Sequence, residues 1–169
     1  MIEIELGLLH QMAVVDALEI SKNHWPSERV RDDRRLVGFM GEAAASIFLT
    51  NNLRAWTNGF ESWKNCTANG PDLHDFPGIE VKTLPETTHR LVPLAAPFKT
   101  AIQDCTGFLV MRHIAGVKMA CIGWITKEEA ERKYRARPRH LPSGTPAILA
   151  EELGSAETCP WIRRDVAAT

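Results

Sequence analysis

A single mixed α/β unit is the fold class that this sequence predicts, and three features of its texture predict it. The first fifty residues carry apolar side chains at helical spacing, the middle of the chain alternates or runs apolar as strands do, and a capping signal near residue 126 opens a further helix. The chain of 169 residues is long enough to bury a core without disulfide or metal staples. A formal net charge of −1 gives no chain-wide field for a polyanion, so any such partner must be met by a local patch.

In chain order, "GLLHQMAVVDALEISK" predicts a helix whose buried stripe is Leu8, Met12, Val15 and Leu18, with Leu9 and Ala13 beside it. Pro26 breaks it, and Ser27 can cap a second helix that resumes at Glu28. That helix has charged opening turns and then an apolar stripe of Leu36, Met40, Ala43 and Ile47, flanked by Phe39 and Phe48. Gly38, Gly41 and three consecutive alanines leave little bulk on it, so another element can approach closely, and "TNNLRAWTNG" ends it with turn formers. "GIEVKTL" alternates as a strand, and "TGFLVMRHIA" and "VKMACIGWIT" form a hairpin across Ala115-Gly116. "THRLVPL" carries Pro93 and is at best an edge strand. Thr126 and Glu129 make a capping box for the helix "KEEAERKYR". Thr145-Pro146 predicts a last helix, "PAILAEEL", stopped by Gly154.

The opening "MIEIELGLLHQ" has two glutamates and no basic leader, so a secretory signal is not expected, and no apolar run is long enough to span a membrane. A cytoplasmic setting is the expectation. The four cysteines, Cys66, Cys105, Cys121 and Cys159, lie far apart with no C-x-x-C pair. That spacing argues against a zinc knuckle and a secreted disulfide framework and predicts free, partly buried thiols.

The chemistry concentrates in "GPDLHDFPGIEVKTLP". Residues two apart on a strand face the same way, so Glu80 and Lys82 project together, about 7 Å apart along the chain, while Ile79 and Val81 face an apolar layer. The Gly70-Pro71 turn lets the chain bring Asp72 beside Glu80. Two carboxylates in a small volume raise a pKa unless a cation joins them. Oxygen-only ligands favour Mg²⁺, with Mn²⁺ as its substitute, over zinc. Such an ion polarises a phosphoryl oxygen and acidifies a water, and Lys82 could orient that water. The plainer readings are a solvated strand face for Glu80 and Lys82 and a turn former for Asp72.

Pro71-Asp72 followed by Glu80-Val81-Lys82 resembles the signature of the PD-(D/E)XK nuclease superfamily, restriction-endonuclease-like, phage-type and resolvase-type members included. The resemblance runs from about Leu36 to Lys133. It implies a restriction-endonuclease-like core, a small mixed β-sheet flanked by helices, within one domain of residues 1–169. Residues 1–35 and 134–169 are then helical extensions. It also implies Mg²⁺-dependent hydrolysis of DNA phosphodiester bonds. Asp72 and Glu80 would hold the metal, Glu42 in the preceding helix would complete the site, and Lys82 would assist the attacking water. Glu42 is otherwise a helix residue at the edge of the core stripe. DNA is the implied partner, with a homodimer as the simplest route to cutting both strands and a targeting protein as a possible companion. The alternative is a nuclease-fold module that binds DNA or a protein without cutting.

Arg132, Lys133, Arg135, Arg137 and Arg139 gather around Tyr134 and could offset phosphate charge, or form a solvated helix end. Arg29, Arg31, Arg34 and Arg35 are interleaved with Glu28, Asp32 and Asp33, which predicts pairing within the helix. Thr83 follows Lys82 onto the opposite strand face, away from the metal. His74, His89 and His113 have no ligand spacing with Cys66 or Cys105, and Gln103 suggests no role.

Overall fold

In the computed structural model, the structure describes residues 1–24, 32–57, 72–85, 90–94 and 105–163. A four-stranded mixed sheet organises them, in the order β1 (Ile2–Glu5), β5 (Lys118–Thr126), β4 (Gly107–Ala115), β2 (Ile79–Leu84). β1 and β4 run antiparallel to β5, and β2 runs parallel to β4. The β4–β5 hairpin turns where expected, with Gly116 at φ 54°, a left-handed conformation that glycine takes without steric cost. β4 is buried along its first five residues because both faces are covered, which explains its unbroken apolar texture.

On one face lie α1 (Leu8–His24) and α2 (Asp32–Thr50), with short α3 (Arg54–Thr57) behind them. Ala43, Ala44 and Leu49 of α2 meet Ile79, Val81, Leu109 and Met111 there in one core. On the other face, Phe108, Val110 and Leu84 meet α4 (Lys127–Ala136) and a second, three-stranded sheet, ordered β3 (Leu91–Pro93), β7 (Pro146–Leu149), β6 (Arg139–His140). β5 contributes to both cores. A pairing shift in the β4–β5 ladder, where Val110 faces Gly123 but Met111 faces Cys121, lets Cys121 join the first core and Ile125 the second despite equal parity. Thr126 caps α4 by accepting a hydrogen bond from the Glu129 N–H at 3.2 Å, one half of the expected capping box, while the Glu129 carboxylate takes Arg132 instead.

Three elements depart from the sequence reading. The opening residues Ile2–Glu5 form strand β1 on an edge of the main sheet, so residues 1–35 are not a purely helical extension. α1 buries Val14, Ala17 and Ser21 rather than Leu8, Met12 and Val15, which with Leu9 are among the exposed large hydrophobic side chains. Smaller side chains let α1 lie close on α2, and closeness rather than residue size chose the buried stripe. "PAILAEEL" is not a helix: Pro146–Leu149 pair with β3 and β6 as β7, and only Ala150–Glu152 coil, as a 3₁₀ turn. Residues 134–163 are therefore mostly strand and turn rather than a helical extension. "THRLVPL" supplies β3 at an edge of the second sheet, as its proline predicts. Among the described residues, no helix is long and apolar enough to cross a membrane. Cys105, Cys121 and Cys159 are free and buried, while Cys66 lies outside the described residues.

Candidate active site

Strand alternation divides the candidate residues between two faces of β2. Val81 and Thr83 face α2, whereas Glu80 and Lys82 face the opposite side. α2 comes unusually close at Gly41, where an added Cβ would lie 2.9 Å from Thr83 Cβ. That close approach carries the next residue, Glu42, to the strand. Glu42 is held there by Trp56 of α3, whose indole N–H donates to Oε2 at 2.8 Å. Asn52 helps to start α3 by accepting the Arg54 N–H at 2.8 Å, which turns the fully buried Trp56 back toward α2. Sequence reading did not single out Trp56, and the Asn52 turn was its only local signal.

Asp72 joins the two faces. Its Oδ2 accepts the backbone N–H of Val81 at 2.7 Å, so the carboxylate sits against the strand itself. The segment after it is fixed by buried Leu73 and Phe76 and by the His74 N–H, which donates to the Ala55 carbonyl at 2.6 Å. Lys82 Nζ donates to Glu80 Oε1 in an ion pair whose two side chains are mostly buried.

The electrostatics follow from this crowding. Burial, then the neighbouring Asp72 carboxylate, pushes the Glu42 carboxyl well above the ordinary carboxylate range, against the Trp56 hydrogen bond. Burial, then Glu80, pushes Asp72 up to about 7, against Lys82 and the Val81 N–H. Glu42, Asp72, Glu80 and Lys82 thus act on one another, and the strongest tie between the two strand faces runs through Asp72.

Among the described residues, no three His, Cys, Asp or Glu side chains form a group that could by itself hold a metal ion. Strand alternation puts Glu80 on the face of β2 turned away from α2, which carries Glu42. Mg²⁺ is nonetheless commonly held by one or two carboxylates, with water and phosphate oxygens filling its other positions. Asp72, whose proton affinity is raised, makes with either glutamate an oxygen-only pair that suits that mode.

The basic run is largely engaged elsewhere. Arg132 donates twice to Glu129, at 2.8 and 2.6 Å, Arg135 pairs with Glu131 at 3.4 Å, and Arg139 pairs with Glu152 at 3.1 Å. Lys133 donates to the Glu152 carbonyl at 2.8 Å, and exposed Arg137 closes the end of α4 through its backbone N–H. The structure therefore gives most of this run a role in fastening α4 and its own charges. Glu28, Arg29, Arg31, His89, Gln103 and Pro71 lie outside the described residues. No family model, curated protein or solved structure matches this chain.

Proposed function

We propose that this chain is a Mg²⁺-dependent DNA endonuclease with a PD-(D/E)XK-type site on a restriction-endonuclease-like core. The observation that carries the reading is the seat of Asp72, which docks on the E-x-K strand between Glu42 and the Glu80–Lys82 pair. Asp72 thus sits on the strand that carries Glu80 and Lys82, and burial and charge tie it to both glutamates, which supports reading these groups as one site. Asp72 and Glu80 would hold the ion, with Glu42 contacting it directly or through water. A bound Mg²⁺ supplies Lewis-acid polarisation of a phosphoryl oxygen and a more acidic water. Lys82 neutralises charge building on the phosphate and orients the water, with Glu80 holding its ammonium in place. Trp56 fixes Glu42, and the buried surroundings limit competing water. Two copies related by a two-fold axis would cut both strands of a duplex.

A second reading is a nuclease-fold module that binds DNA or a protein without cutting. The Lys82–Glu80 ion pair and the lack of a three-ligand group among the described residues favour it. Incubation with duplex, nicked, flapped, single-stranded and four-way DNA in Mg²⁺, Mn²⁺ or EDTA separates the two. The nuclease cuts at least one substrate with metal, and Asp72→Ala, Glu80→Ala and Lys82→Ala each abolish cutting while remaining folded. Equal cleavage by wild type and Asp72→Ala would falsify the site.

A further inference from the structure

Gly38 lies inside the nineteen-residue helix α2, where glycine costs about 1 kcal/mol relative to alanine. At Gly41 the cost has a reason, because Thr83 occupies the space a side chain would need. At Gly38 there is none among the described residues: beyond its chain neighbours and the helix's own backbone, an added Cβ would meet no atom within 4 Å. The space opens instead into a cleft of about 580 Å³ that shares Glu42 with the candidate active site. That volume falls within the roughly 300–1,000 Å³ of pockets that hold a small organic ligand.

The lining sorts by chemistry. Val37, Leu91, Pro93 and Leu141 make aliphatic walls, Thr83 and Glu42 supply polar groups, and at the rim the exposed Arg34 adds a cation beside the exposed carboxylate of Asp33. A nucleobase has two apolar faces and a polar edge, and its nucleotide carries an anionic phosphate, so this lining matches one nucleotide. A base stacked inside a duplex cannot enter such a cleft without leaving its stack. Resting on the nuclease reading, we infer that the cleft receives the base of an unpaired nucleotide next to the scissile phosphate. The substrate is then DNA that is single-stranded or distorted at the cut. Gly38 keeps the entrance open, and Arg34 meets the adjoining phosphate.

The test compares the full chain with its Gly38→Leu variant. A Cβ has room at this position and leucine is a better helix former, so the melting temperature should not fall. The probes are a fluorescein-labelled single-stranded oligodeoxynucleotide, a series of counterparts each lacking one base, and the corresponding duplex, all in Ca²⁺. Wild type should bind the intact single strand at least tenfold more tightly than Gly38→Leu, roughly the value of one base contact, and more tightly than the duplex. One abasic position should weaken wild-type binding similarly, a comparison that needs no variant. Equal affinity of both proteins for the single strand, tighter binding of duplex, or indifference to every missing base would overturn the inference. Cleavage by wild type with Gly38-independent binding removes the base cleft and leaves the nuclease. Gly38-dependent binding without any cleavage removes the nuclease and leaves a single-strand binding cleft.

Discussion

Ionising Asp72 places a negative charge where burial and Glu80 both oppose it. An unfolded aspartate releases its proton near pH 3.9, whereas folded Asp72 keeps its proton up to about 7. Between those values the folded state binds more protons than the unfolded state. The contribution of Asp72 to metal-free stability therefore falls as pH rises from about 4 to about 7. Asp72→Asn keeps an acceptor for the Val81 N–H and removes the charge, so at about pH 8 it should be more stable than wild type by ~1–3 kcal/mol. Thermal melts in EDTA at about pH 4 and pH 8 check this, and a less stable variant at the higher pH refutes it. Mg²⁺ should then raise the melting temperature of wild type more than that of the variant. Trp56→Phe removes the donor that partly lowers the Glu42 pKa, so the pH midpoint for Mn²⁺ binding should move upward. An unmoved midpoint in a calorimetric pH series would separate Glu42 from the ion. The sequence made Asp72, Glu80 and Lys82 legible because a turn and a two-residue period are local signals. Trp56 was hidden because its partner is fourteen positions away, across a helix break.

Helix α2 and strand β2 place these groups through one close approach, and that contact can be tested against intuition. Glycine to alanine inside a helix normally stabilises by up to about 1 kcal/mol. Gly41→Ala should instead destabilise by about 1–3 kcal/mol, because the new methyl group runs into Thr83. Thr83→Ala should relieve part of that cost, so a double-mutant cycle in urea should show positive coupling, and additive effects would deny the contact. The small residues of α2 announced a close neighbour in the sequence, although not which strand it would be. α1 was misread for a related reason: helical spacing gives the angular period of apolar residues, while the packing on α2 chose Val14 and Ala17 over larger side chains. "PAILAEEL" was misread because four residues with a proline and a branched chain suit either state, and the waiting edges of β3 and β6 made it a strand.

The layers are joined by a segment that carries little pattern of its own. Residues 154–163 return across the main sheet, with Ala156 and Cys159 in the first core. Trp124 Nε1 donates to the Ser155 carbonyl at 2.9 Å, and Trp161 packs edge-on to Trp124 with centroids 5.6 Å apart. The Arg163 N–H donates to the Leu49 carbonyl at the end of α2, and its guanidinium lies 4.5 Å from the Phe76 ring centroid, just beyond Asp72. Trp161→Ala should lower stability by about 2–4 kcal/mol in urea unfolding, with its main effect on the whole fold rather than on one element. A change under 0.5 kcal/mol would make this segment an accessory to the fold.

Helix α2, the β4–β5 hairpin, the Thr126 cap and the order of Asp72, Glu80 and Lys82 were available from local patterns, because period, turn chemistry and capping act within a few residues. The edge strand β1, the second sheet's β7 and the buried face of α1 were not, since each depends on what a distant part of the chain offers as a partner. So does the division of the acidic cluster between two faces of β2, with Asp72 between them. Sequence order can bring charges into one short stretch, but desolvation and mutual repulsion are set by distances through space, and those exist only once the layers close.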